Sequence, residues 1–302
     1  MYRWYSRSQE QGTCPPQTPF FCQFGSALRL YGAWRCVDTP PRQVRLPAVI
    51  PYRDENPTLK PPLVTIAIVA INVLVWLVVQ GAGATLPLAR SVCDLGLIPG
   101  ELTGRAASGT AIAMGQGLYC QLEGARNYGH VLTSMFLHGS WMHIIMNMWF
   151  FWIFGNNIED SMGHVRFVLF YLMCGTAAAL AQVAMDPASP VPVVGASGAI
   201  SGVMGAYLVL YPRVRVYTLV PLGFFLTTIA LPAWAMLGYW IVLQFLGGLP
   251  QLAGAQGNGG VAFWAHIGGF VIGAAAIKLF ANPGYLASRR QNPWSPQRLR
   301  WG

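Results

Sequence analysis

From Val216 to Ile277 the chain carries no Asp, Glu, Lys or Arg. No soluble domain can hide that much uncharged chain from water, so this stretch alone points to a bilayer. A spanning helix needs about 20 mostly apolar residues. The uncharged stretch is too long for one such helix, and Pro232, Pro250 and the glycines from Gly254 to Gly260 break it. We read an interfacial segment at 216–230, a span at 231–249 and another at 261–280. Upstream, apolar runs at 63–80, 133–154, 167–185 and 194–211 complete a set of six. Only 10% of the 302 residues are charged and 54% are hydrophobic, against about a quarter charged in soluble domains.

The fold class expected is therefore an all-α membrane protein, a bundle of six transmembrane helices with a long first loop from Gly81 to His130. Long ordered loops tend to be functional. Residues 1–45 lack sustained periodicity and read as disordered, 46–281 as the membrane domain, and 282–302 as a basic tail at the membrane surface.

The net charge is +9, but the basic residues lie at the ends and in short loops instead of clustering as a nucleic-acid footprint would require. Six spans put both ends on one side. With the ends inside, sixteen of the 19 Lys and Arg fall inside, and only Arg90, Arg105 and Arg126 fall outside. The positive-inside rule selects that orientation, with the long loop extracytoplasmic. Cys93 and Cys120 lie in that loop, where both a disulfide and two free thiols fit the sequence. No CxxC is present, so nothing suggests a metal or redox cofactor.

Ionisable and polar groups inside a membrane are functional candidates. His143, Asn147, Ser197 and His266 stand out. They sit near the starts of three spans that all run from outside to inside. Ser197 is five residues past Pro192 and His266 six past Gly260, roughly 8–9 Å along a helix. His143 lies five residues after His138, at similar depth. His143 and Asn147, four apart, share a helix face. Gly195-Ala196-Ser197-Gly198 alone is a weak signal and reads more readily as a small-residue packing face. At a helix start, however, free N–H groups and the positive dipole end can hold an oxyanion beside Ser197. Gly269 and Gly273 line one face of the last span. They would pack on a small face of the fourth span, which offers Gly198 with Gly202 and Ser201 with Gly205, and so bring His266 toward Ser197. No carboxylate lies at that depth, so the machinery expected is a Ser–His pair without an acid. His138 is off the His143 face and is expected to stabilise the long loop.

The stretches His138-Gly139-Ser140-Trp141-Met142-His143-Ile144-Ile145-Met146-Asn147, Gly195-Ala196-Ser197-Gly198 and Ala265-His266-Ile267-Gly268-Gly269 with Gly273, in this order, resemble the rhomboid family of intramembrane serine proteases. The likeness starts near Asp54-Glu55-Asn56-Pro57-Thr58. It implies Ser197 as nucleophile, His266 as general base, and an oxyanion hole from Asn147, His143 and the Ser197 N–H. It also implies a substrate that is itself a transmembrane protein in the lipid bilayer, no cofactor and no nucleic acid. The short-loop form is most similar to bacterial members in a plasma membrane. Two positions depart from the pattern. Gly129-His130 stands where some bacterial members have Trp-Arg. Ser201 stands where some have a Tyr that stacks on the histidine. A non-cleaving rhomboid-like helix binder is the first alternative and a transporter with a polar midplane site the second. The sequence shows no inverted repeat for the latter.

Overall fold

A computed structural model describes residues 50–222, 225–252 and 261–291. The segment expected to be disordered, 1–45, the glycine run at 254–260 and the end of the tail lie outside the described residues. The described chain runs β1 (Ile50–Asp54), α1 (Leu63–Val78), α2 (Thr85–Leu95), α3 (Pro99–Thr103), β2 (Ala111–Gly115), β3 (Leu118–Gln121), α4 (His130–Thr133), α5 (Trp141–Met162), α6 (His164–Met185), α7 (Ser197–Leu210), β4 (Arg215–Leu222), β5 (Phe225–Pro232), α8 (Ala233–Leu252), α9 (Phe263–Phe280) and α10 (Pro283–Gln291).

By length and composition, His164–Met185, Ala233–Gln251 and Phe263–Phe280 are long and apolar enough to cross a membrane. Leu63–Val78 and Ser197–Leu210 are shorter apolar helices. The protein is thus mostly helical, and many large apolar side chains on α1, α5 and α8 face outward, among them Leu74, Trp149, Trp152 and Phe245. In water such a surface would be costly.

α7 is the hub. Every residue from Gly198 to Tyr207 is buried, and α5, α6, α8 and α9 surround it. Its glycines explain how four neighbours fit. A Cβ at Gly205 would run into the carbonyl of Phe270, and one at Gly202 into Cys174. Across the same seam, a Cβ at Gly269 would strike the Gly198 carbonyl, and one at Gly273 the Gly202 carbonyl. Such contact between bare backbones lets α7 and α9 approach closely.

Three expectations are corrected. The helix expected from Thr133 begins at Trp141, because Ser140 takes extended backbone and its Oγ accepts from the His143 N–H at 3.2 Å. That is an N-cap. His138 therefore precedes the helix. Second, the segment 216–230, expected as an interfacial stretch of an all-α protein, forms strands. β4 and β5 pair antiparallel from Arg215↔Pro232 to Leu222↔Phe225, and β1 adds to β4 with Ile50 opposite Leu219. The β-branched and aromatic content of Val216-Tyr217-Thr218 and Thr227-Thr228-Ile229 favours strands. Third, the described part of the tail is a helix packed onto the bundle, with Arg289 buried.

A polar cluster explains that packing. Glu159 and Asp160, near the end of α5, cap the entry to α1. Glu159 accepts from the N–H groups of Val64 (2.9 Å) and Thr65 (2.7 Å) and from Thr65 Oγ1. Asp160 accepts from the N–H groups of Leu59 and Lys60 and pairs with Arg289. Arg289 also donates to Asn56 Oδ1 and Asn157 Oδ1, both at 2.8 Å. Charge-assisted bonds of this kind keep buried charges satisfied. Asp54 joins through the Tyr207 hydroxyl and the Asn157 amide, and burial pushes its carboxyl up to about 6.

The segment after α1 is ordered. Cys93 of α2 and Cys120 of β3 form a disulfide inside a small core with Ile98 and Leu122. Leu97 and Val193 exchange backbone hydrogen bonds at 3.0 and 2.7 Å, which ties this segment to the chain entering α7. His130 is buried beside Asn127 at 2.9 Å, and burial holds it below the usual histidine range.

Candidate active site

Four elements meet at the N-terminal end of α7. Ser197 is its first residue. The chain arrives through Gly195, whose φ of +128° suits glycine and whose N–H donates to the Ser134 carbonyl at 2.9 Å. A side chain at Gly195 would also meet His143 Nε2 at 2.8 Å, so both backbone and space require glycine there. That contact places the His143 ring directly against the approach to Ser197.

His266 is the fourth residue of α9. Its Nε2 lies 2.8 Å from Ser197 Oγ. The glycine seam described above sets that distance, since it fixes how closely α9 lies on α7. Gln182 of α6 steadies the same turn by accepting from the Ala265 N–H at 3.3 Å.

His143 is the third residue of α5. Its Nδ1 accepts from the Gly139 N–H at 3.3 Å. An accepting Nδ1 leaves the proton on Nε2, so His143 offers an N–H toward Gly195 and Ser197. One turn on, Asn147 is buried and its Nδ2 has no partner among the described residues. A buried, unpartnered amide is uncommon and asks for a reason. His138 stands apart from this face. Its backbone is clasped by Gln80 through bonds of 2.7 and 2.8 Å, and its ring stacks edge-on to His143 at 5.1 Å. A cavity of about 30 Å³ opens beside Ser197, lined by Met135, Gly175, Ala178, Gly195 and Ala265.

The Rhomboid domain family model matches residues 125–283. The chain belongs to the rhomboid family. Its match to rhomboid-like protease 5 of Toxoplasma gondii is 30% identical over 156 residues, 49% of this chain and 16% of that protein. RHOMBOID-like protein 6, mitochondrial, of Arabidopsis thaliana is 38% identical over 78 residues, 26% of this chain and 25% of that one. Rhomboid protease GluP of Bacillus subtilis (strain 168) is 38% identical over 78 residues, 26% of this chain and 15% of that one. The chain therefore spans a quarter or less of the length of these curated relatives.

Two groups in this rhomboid site were not found from sequence. The resemblance supplied no aromatic ring for His266, because Ser201 occupies that position. Ser201 instead donates to the Ser197 carbonyl at 2.6 Å. The ring comes from another helix: Trp240 of α8 lies 5.8 Å from His266, tilted by 40°. Gln244, one turn further along α8, places Oε1 at 2.8 Å from His266 Nδ1. A search for ionisable groups passes over a glutamine. The signal available was the i, i+4 spacing of Trp240 and Gln244 in an otherwise apolar helix.

Proposed function

We propose that the chain is an intramembrane serine endopeptidase that cleaves transmembrane segments of other membrane proteins. The observation that carries this reading is the 2.8 Å approach of His266 Nε2 to Ser197 Oγ, with His143 against the approach to Ser197 and the Asn147 amide, unpartnered among the described residues, one turn along α5 from it. In this reading Ser197 Oγ attacks a peptide carbonyl while His266 Nε2 takes its proton. The carbonyl oxygen becomes an oxyanion that accepts from the Ser197 N–H, His143 Nε2–H and Asn147 Nδ2–H. The first N–H groups of a helix have no partner within it, so that of Ser197 is available to the oxyanion. Collapse breaks the C–N bond, and His266 returns the proton to the leaving amine. Water, deprotonated by His266, then releases the acyl group and restores Ser197. No metal or cofactor is needed.

Asn147 tests the oxyanion assignment. Loss of one oxyanion donor typically costs about 10²–10³-fold in kcat. Asn147→Ala is expected to fall in that range with KM little changed, measured on a fluorescent transmembrane substrate in liposomes. A raised KM with kcat unchanged would instead mark it as a binding residue.

The six apolar segments are proposed to span the bilayer, with 46–281 forming the membrane domain and both ends cytoplasmic, by the positive-inside count. The site then opens near the extracytoplasmic face, where the disulfide Cys93–Cys120 also lies. A substrate helix must unwind locally, because helical carbonyls are already hydrogen-bonded. Entry past α8 fits its position, since it is the least buried of the three long apolar helices. The relatives' names include a bacterial, a mitochondrial and a chloroplastic protein, so they lend the bacterial plasma membrane no support, and the proposal extends only to an integral membrane protein.

A non-cleaving helix binder would have no use for an aligned serine, histidine and oxyanion pocket. A fluorophosphonate probe separates the two. The wild-type protein is expected to label and Ser197→Ala to stay unlabelled. An unlabelled wild type, or labelling that survives Ser197→Ala, would overturn the protease reading.

A further inference from the structure

His266 has two ring nitrogens, and the proposed chemistry uses only Nε2. For Nε2 to receive a proton it must carry none at rest, so the proton must sit on Nδ1. Something has to hold it there. In soluble hydrolases with a serine and a histidine, a carboxylate does this. Among the described residues no carboxylate reaches His266. What reaches Nδ1 is Gln244 Oε1, at 2.8 Å. A carbonyl oxygen accepts and cannot donate, so this contact exists only when Nδ1 bears the proton. That is the tautomer the reaction requires.

Gln244 does not act alone on the ring. Trp240, four residues earlier, lies on the same face of α8 and flanks the imidazole at 5.8 Å. The two restrain different things. Trp240 limits tilting of the ring, while Gln244 sets which nitrogen is protonated and prevents a flip. A flipped ring would present Nδ1 to Ser197 and waste the contact. Both residues belong to α8, whereas Ser197 and His266 are held by the α7–α9 glycine seam. The pair can thus stay close in space while its protonation pattern depends on α8 being docked.

Resting on the serine–histidine reading above, we propose that Gln244 is a positioning residue. Its side-chain carbonyl fixes the Nδ1–H tautomer and orientation of His266, so Ser197 is activated only when α8 is packed against α9.

The test uses the full-length protein in liposomes, with the second-order rate of labelling by a small fluorophosphonate and the turnover of a transmembrane substrate as readouts. Partners that orient metal-ligating histidines typically contribute about 10–100-fold, and a loss of that order is expected for His266. Q244M, close in shape but lacking the acceptor, is expected to lose that much in both readouts, with KM little changed. Q244N keeps the amide but falls one methylene short, and it should be as slow as Q244M. Q244E restores an acceptor and should recover most of both rates. Wild-type labelling by Q244M or Q244N would overturn the proposal, as would a Q244E as slow as Q244M. So would slowed substrate turnover with unchanged labelling, which would make Gln244 a residue of substrate entry. These failures are separable from failure of the underlying reading, because that reading falls if the wild type does not label, or if Ser197→Ala or His266→Ala still labels.

Discussion

Ser197→Ala and His266→Ala should each lower turnover of a transmembrane substrate by about 10⁴-fold or more, and the double variant should be no slower than the worse single one. The expectation follows from the geometry. Ser197 Oγ has one partner poised to take its proton, the Nε2 of His266 at 2.8 Å. A hydroxyl without its base is a poor nucleophile, and a base without the hydroxyl has nothing to activate. Residues that work as a unit show such non-additive losses, and removal of either leaves only the help of the oxyanion donors. Losses that instead multiplied in the double variant would mean the two residues act in separate steps. Thermal unfolding supplies the control. Ser197 contributes a small side chain at the mouth of the site, so Ser197→Ala should melt within a few degrees of wild type.

Gly269→Val should have the larger effect on the fold. The first atom of any side chain at 269 collides with the Gly198 carbonyl, which is backbone and has no rotamer to change. The helices must separate, and overpacking of this kind costs about 3 kcal/mol or more. Because Gly198 follows Ser197 directly, separation also pulls His266 off its partner, and a displacement of about 1 Å can cost 10²-fold in rate. Stability and turnover are therefore expected to fall together. Gly238→Ala on α8 is the matched control. A Cβ there meets nothing within 4 Å among the described residues, so it should leave stability unchanged or raise it by up to about 1 kcal/mol through reduced chain entropy. Equal behaviour of the two variants would remove the glycine seam as the determinant of the site.

Much of this site was legible because helices repeat. His143 with Asn147, and Gly269 with Gly273, are pairs four apart, and that spacing puts each pair on one face without further information. Helix starts were less legible. Ser140, not the edge of the apolar run, ends the preceding turn, and so His138 fell outside the helix that composition assigned to it. β4 and β5 were missed because in an uncharged stretch apolarity drowns the strand signal of Val216, Thr218, Thr227 and Ile229. The other partner of β4, β1, is more than 150 residues away, and no local pattern announces a pairing over that distance. The same holds for Asp160 and Arg289, and for Gln244 and His266. In each case one residue gains its role only from a group the fold brings to it.

The clasp of Arg289 on Asp160 has a consequence for how the chain is made. The two residues are 129 positions apart. Ribosomes deliver about 5–20 residues per second, so on the order of ten seconds separate their emergence. For that interval α5 carries a buried-to-be carboxylate with the backbone of Leu59 and Lys60 as its ligands and no cation. The helices bearing Ser197 and His266 are complete before the arginine that neutralises Asp160 arrives. The cation that pairs with Asp160 thus arrives after the helices it fastens. Until it docks, Asp160 lacks the cation it holds in the folded molecule, and that vacancy is what distinguishes an unfinished chain from a finished one.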